Sequence, residues 1–193
     1  MSRFFLLHES FRLLIADNVL PILAGRLIST LLAELKWRGF AVVEEPGRRV
    51  VAAEMRSGGM ALPWIDMVAF VHRVIRLALD DLNAAQASLG PVFFDRGLVD
   101  ALSALASLTK EKPDEIWVNN ACTYHRCAFM IPPWPEIYVQ DSERRHDFKQ
   151  ALSEYNRLIG AYPAYGYDLR TVPKLPVSQR ADFILDQLNG LSQ

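Results

Sequence analysis

Two pairs of charged residues stand where apolar runs of the chain stop. Glu44-Glu45 follows Phe40-Ala41-Val42-Val43, and Asp95-Arg96 follows Val92-Phe93-Phe94. A short continuous apolar run flanked by helical sequence suits a strand buried on both faces of a parallel sheet. Ligands of such sheets sit outside the carboxyl ends of the strands. Carboxylates and guanidiniums at those ends are therefore where chemistry is expected. Two further strand ends carry Pro132-Pro133-Trp134 and Pro173-Lys174. Trp134, held between prolines, reads as a fixed hydrophobic clamp more readily than as a stacking platform. Other reactive residue types show no pattern. His8, His72, His125 and His146 lack metal-ligand spacing, and Cys122 and Cys127 have no second pair to complete a zinc site. No Gly-x-Ser-x-Gly elbow and no Cys–His arrangement is present.

The elements that must position these residues alternate. Phe4 to Leu7 and Phe11 to Ala16 are short apolar runs, each a possible strand. From Pro21 to Arg38, Leu23, Leu27, Leu31 and Leu35 recur every four positions, which predicts a helix. Gly39 ends it as a C-cap. After the strand at 40–43, a helix is expected over 48–56, stopped by Ser57-Gly58-Gly59, and a long one from Pro63 to about Ala87. Pro91–Asp95 reads as a strand and Leu98 as the next helix start. Lys112-Pro113-Asp114 breaks the chain before a further helical turn or two. Arg126–Ile131 and Tyr167–Val172 read as strands, Asp141–Ile159 and Pro176–Leu188 as helices. Such alternation predicts a three-layer α/β domain with a mainly parallel sheet.

Composition narrows the classes further. The 193 residues suit one domain, and 51% hydrophobic residues with four Trp and ten Phe exclude intrinsic disorder. Lys plus Arg number 21 and Asp plus Glu 22, so no nucleic acid is expected as a partner. The two cysteines make no disulfide framework, which suits a cytoplasmic protein. No membrane span is expected, because the most apolar stretch, Val19 to Leu35, carries Pro21, Arg26 and Glu34. Oligomeric state is not readable from composition.

Several segments in consistent order resemble one family. They are 38–49, Ala61-Leu62-Pro63-Trp64, 92–97, the stretch from Pro132 to Tyr138 running on through Asp141 and Glu143-Arg144-Arg145 to Phe148, Gly166-Tyr167 and Pro173-Lys174. Together they resemble P-loop ATPases of the AAA-like type, related to the kinase domain of bacterial NAD-biosynthesis regulators, over about residues 29 to 188. The resemblance implies a P-loop nucleoside triphosphatase fold of kinase-like form, with ATP or GTP and Mg²⁺ as cofactors and a small-molecule acceptor as partner. Residues 1–28 are atypical. The family's phosphate loop, G-x-x-x-x-G-K-[ST], aligned on Ser29-Thr30, falls on Ile22 to Ile28, so Leu27 stands at the glycine and Ile28 at the lysine. Leucine and isoleucine would intrude on the nest of backbone N–H groups and bring no charge to the phosphates.

The same resemblance implies roles for individual residues. Asp95 matches the acid that holds Mg²⁺, its alternative being an N-cap for the helix at Leu98. Arg144 and Arg145 match lid arginines that neutralise transferring phosphate, against a plain charged helix face. Glu45, Arg48 and Arg96 would bind the acceptor, against a surface salt bridge at a helix start. Gly25, Arg26, Ser29 and Thr30 would contact nucleotide, with Ser29 also on the metal. The two readings that follow are a P-loop ATPase or small-molecule kinase, and a binding or scaffold protein that keeps the fold without the phosphate clamp.

Overall fold

The computed structural model describes residues 12–16, 26–135 and 142–191, and side chains from 30 to 135 and from 148 to 188. Five strands form one parallel sheet: β1 (Arg12–Ala16), β2 (Ala41–Val43), β3 (Val92–Asp95), β4 (Cys127–Met130) and β5 (Asp168–Thr171). Their order across the sheet is β2-β3-β1-β4-β5. The chain builds β2 and β3 on one side of β1, then β4 and β5 on the other. The reversal therefore lies at β1, and in sheets of this kind ligands bind outside the carboxyl ends of the strands at that point. In register, Leu14 sits opposite Phe94 and Ile15 opposite Asp95.

The central positions go to the most apolar strands. β3 (Val-Phe-Phe-Asp) and β4 (Cys-Ala-Phe-Met) are buried throughout, as strands covered on both faces must be. Phe93 and Phe129 face α1 (Arg26–Trp37) and α7 (Val177–Leu191), packing with Leu31, Leu35 and Ile184. Val92, Phe94 and Met130 face the opposite layer. That layer holds α2 (Pro46–Ser57), α3 (Met67–Ala84), α4 (Leu98–Thr109), α5 (Glu115–Ala121) and α6 (Ser142–Ala164). Each fully buried Phe contributes about 1.5–3 kcal/mol relative to exposure. No described helix is long and apolar enough to cross a membrane.

Several expectations are corrected in detail. The run Phe40–Val43 is not buried on both faces: β2 is an edge strand, paired to β3 alone, and Ala41 is exposed. The centre of the sheet is β1, from the less prominent run at 11–16. The helix expected from Pro63 begins at Met67, because Asp66 caps it: its Oδ1 accepts from the Ala69 N–H at 2.9 Å. It ends at Ala84 and continues only as a 3₁₀ turn, Ala85–Ala87. The helix expected over 21–38 is α1, and 21–25 lie outside the described residues, as does the run Phe4–Leu7. The helix expected over 48–56 spans Pro46–Ser57, and the one expected over 141–159 spans Ser142–Ala164.

The α2–α3 connection is tied down by one buried carboxylate. Glu54 lies 2.9 Å from Arg73 Nη2 and accepts from the Ala61 N–H at 3.0 Å. Gly58 adopts φ 69, the left-handed conformation that ends α2. Gly59 follows against the carboxylate, and a Cβ there would stand 2.0 Å from Glu54 Oε2. Gly59→Ala is therefore expected to cost about 1–3 kcal/mol, the usual range for forcing atoms into a packed site. Urea unfolding checks this, and the penalty should shrink in a Glu54→Ala background.

Candidate functional site

The site is built at the carboxyl ends of β2 and β3. Asp95, the last residue of β3, is buried at 8% exposure beside the end of β1. It is not the cap of α4. The N-cap position belongs to Gly97, whose N–H donates to the carboxylate of Asp100 at 3.0 Å, the reach of a third-position acid back over a helix start. The structural alternative for Asp95 thus falls to a different residue.

Arg96 follows with φ 64. A non-glycine residue in the left-handed region is uncommon and costs of order 1 kcal/mol or more, and such strain gathers at functional sites. Two carboxylates hold it there. Its Nη1 donates to Glu154 Oε1 at 2.9 Å, and its Nε lies 3.6 Å from Glu45 Oε1. Glu45 stands before Pro46, the first residue of α2, and makes no capping bond. Its other oxygen is 2.8 Å from Arg48 Nε. Gly47 keeps the space beside it open: a Cβ there would meet Glu45 Oε1 at 3.2 Å and Phe70 at 3.6 Å. Arg157, one turn beyond Glu154 on α6, brings Nη2 to 3.5 Å from the same Oε1.

These groups form one wall of a cavity of about 480 Å³, a volume suited to a small molecule. Glu45, Arg96, Asp100, Glu154 and Arg157 supply its charge. Much of its apolar lining comes from Met67, Phe70, Val71 and Val74 of α3. Beneath it, Tyr162 donates to Asp100 Oδ2 at 2.6 Å, and Tyr167 donates to the Ala121 carbonyl. Burial raises the Asp100 pKa, partly offset by the Arg96 guanidinium nearby and by the Tyr162 hydrogen bond. Burial likewise pushes the Tyr162 and Tyr167 phenols up, so both act as donors at neutral pH.

The sequence-predicted residues divide into those brought together and those not described in full. Glu45, Arg48 and Arg96 meet in one ion-pair network, and Asp95 adjoins it through the chain. Arg48, half exposed, lies at its outer side. Arg144 and Arg145 fall in the first turns of α6, about 15 Å along the helix from Glu154, and their side chains lie outside the described residues. Arg26 opens α1 and Ser29 lies within it, both with side chains outside the description, while Thr30 is exposed on α1. Gly25 lies outside the described residues. Trp134 has the Arg180 guanidinium 5.5 Å from its ring centroid, a cation–π contact. Asp100, Glu154 and Arg157 were not anticipated. A third-position acid after Arg96-Gly97 was the available signal for Asp100, and a Glu/Arg pair three apart was the signal for the α6 residues.

The chemistry of this donor set can be tested against Mg²⁺. No group of three or more His, Cys, Asp or Glu among the described residues forms a metal cage. Mg²⁺ beside a nucleotide asks for less, one or two carboxylates with waters and phosphate oxygens completing its shell. A single carboxylate at the end of β3, next to β1, fits that requirement.

The comparisons agree with this geometry. The family model described as "AAA domain" matches residues 29–180. The NadR protein in complex with NAD and AMP-PNP superposes with a TM-score of 0.61 at 15% identity, over 94% of this chain and 50% of that one. The chain thus spans half the length of that relative. Shikimate kinase from Acinetobacter baumannii, in complex with shikimate, gives 0.53 at 11% identity, over 95% of each chain. Thymidylate kinase from Ehrlichia chaffeensis gives 0.53 at 11%, over 94% of this chain and 100% of that one. No curated protein sequence matches the chain. The strand order, the site at the carboxyl ends of β2 and β3 and the match over 29–180 together show that the chain belongs to the AAA domain family, with the fold of the P-loop kinases.

Proposed function

We propose that this chain is a P-loop nucleoside-triphosphate-binding protein of the small-molecule-kinase kind, with weakened grip on its nucleotide. The observation that carries the reading is the cavity of about 480 Å³ lined by Glu45, by Arg96 and Gly97, which follow Asp95 in the chain, and by Glu154 and Arg157 of α6. It offers an acceptor a place near the carboxyl end of β1, where a nucleotide would lie. Asp95, with Ser29 of α1, would hold Mg²⁺, and the metal would supply charge neutralisation of the phosphates. Glu45 would accept a hydrogen bond from the acceptor hydroxyl and keep it oriented, its own position fixed by Arg48 and Arg96. Arg144 and Arg145, at the start of α6, would neutralise phosphoryl charge. Gly25, Arg26 and Thr30 would complete the nucleotide contacts.

Leu27 and Ile28 favour a second reading. They stand where the phosphate loop has its glycine and lysine, and the family match begins only at Ser29. On that reading the chain keeps the fold and the cavity but binds no nucleotide, and serves as a binding or scaffold protein. Thermal unfolding with millimolar Mg-ATP and Mg-GTP separates the two. A saturable rise in Tm with either nucleotide is expected, and no shift with both sinks the enzyme reading.

A further inference from the structure

The connection between α2 and α3 turns apolar side chains outward. Met55, Met60, Trp64, Ile65 and Val68 are all exposed, Met60 at 65% and Trp64 at 56%. An exposed apolar run of this density marks an interaction site, as a lone surface residue does not. The backbone beneath it is tied down. Glu54 accepts the Ala61 N–H at 3.0 Å. Leu62 is buried, and its carbonyl accepts the Ile65 and Asp66 N–H groups, each at 2.9 Å. Trp64 and Ile65 are thus held outside the core.

The charge around the run is basic. From Met55 to Leu77 the charged residues are Arg56, Asp66, Arg73 and Arg76. Asp66 is engaged as the cap of α3. Arg73 is half exposed while its partner, Glu54, is buried, so the guanidinium is the member of that pair that meets solvent. The same Glu54 holds Ala61, which places Arg73 beside Met60. Arg56 and Arg76 are exposed and form no ion pair among the described residues. Arg49, paired to Asp81, and Asp80 lie further along the groove that Arg73 and Arg76 line.

None of the five apolar residues lines that groove or the cavity described above. A helix or an extended peptide docks in a groove or along a sheet edge. A lipid surface asks instead for protruding apolar side chains, Trp above all, with basic residues beside them. From this juxtaposition we propose that the α2–α3 connection docks on an anionic lipid surface. Met60, Trp64 and Ile65 enter the headgroup boundary, and Arg56, Arg73 and Arg76 meet lipid phosphates. Pro63 and Met67 of the same connection line the cavity, so docking brings its rim to the lipid.

Sedimentation with sucrose-loaded vesicles tests it, on the full chain without nucleotide. One set is phosphatidylcholine alone, the other phosphatidylcholine with about 30% phosphatidylglycerol. At about 1 mM lipid most of the chain is expected to pellet with the mixed vesicles, and to bind the neutral ones at least about tenfold more weakly. Salt at about 0.5 M should release it. Trp64→Ser/Ile65→Ser should weaken binding at least about tenfold, since two apolar side chains no longer leave water. Arg56→Gln/Arg76→Gln should erase most of the preference for the mixed vesicles. Circular dichroism confirms that each variant is folded. Trp37→Ser, which removes an exposed tryptophan at the end of α1, should bind like the unmodified chain. Failure to pellet with the mixed vesicles overturns the proposal, as do equal binding to both kinds and unchanged binding by Trp64→Ser/Ile65→Ser. A chain that dimerises through Trp64 and Ile65 in sedimentation velocity, and pellets with neither vesicle, would assign the patch to a second copy instead. Nucleotide plays no part in the measurement, so its outcome is separate from the Mg-ATP result.

Discussion

Replacing Leu27 by Gly and Ile28 by Lys is expected to tighten Mg-ATP binding by about a hundredfold. The lysine brings a charge-assisted contact to phosphate, worth about 1.5–3 kcal/mol. The glycine removes a side chain from the path of the phosphates and lets backbone N–H groups approach. The helix boundary supports the placement. α1 begins at Arg26, so positions 27 and 28 lie in its first turn, where a helix offers free N–H groups and a positive dipole end to an anion. Competition against a fluorescent nucleotide measures the change. A gain below about threefold would mean that the segment before Ser29 does not approach the nucleotide at all.

Asp95→Asn is expected to remove the Mg²⁺-dependent part of that affinity, a loss of order 100-fold in the Leu27→Gly/Ile28→Lys background. Asparagine keeps the shape of the side chain, and α4 keeps its capping carboxylate because that is Asp100. What changes is the charge offered to the metal, whose contribution to phosphate binding is several kcal/mol. Titrations with ATP in Mg²⁺ and in EDTA give the answer. The protein that retains Asp95 should show a large difference between the two, and the Asp95→Asn variant almost none. A metal effect surviving in the variant would assign the ion to other ligands.

The parts legible in the sequence were those whose local pattern and tertiary environment agree. Val92-Phe93-Phe94 reads as a buried strand and is one, and Leu98 begins α4 as the change of periodicity indicates. Asp95 could be placed at a strand end from those residues alone. β1 was hard to find for a local reason. Arg12–Ala16 is short, and no glycine-rich turn follows it to announce a strand entering a phosphate loop. Phe40–Val43 misled in the other direction, since a continuous apolar run also suits an edge strand covered by Phe93 and α1. The acidic and basic lining of the cavity was only half visible. Glu45, Arg48 and Arg96 flank strand ends, but Glu154 lies 58 residues beyond Arg96, and the packing of α4 on α6 is what joins them. Asp66 and Asp100 show how close such readings come, because in both cases a carboxylate near the expected helix start does the capping.

On the proposed function, Mg-nucleotide binds beside Asp95. Calorimetric titration of the unmodified chain with Mg-ATP, run beside Asp95→Asn, tests it most directly. A saturable heat with Kd in the millimolar range, lost in the variant, is the predicted result. No heat up to about 10 mM, or equal binding by the variant, would contradict it.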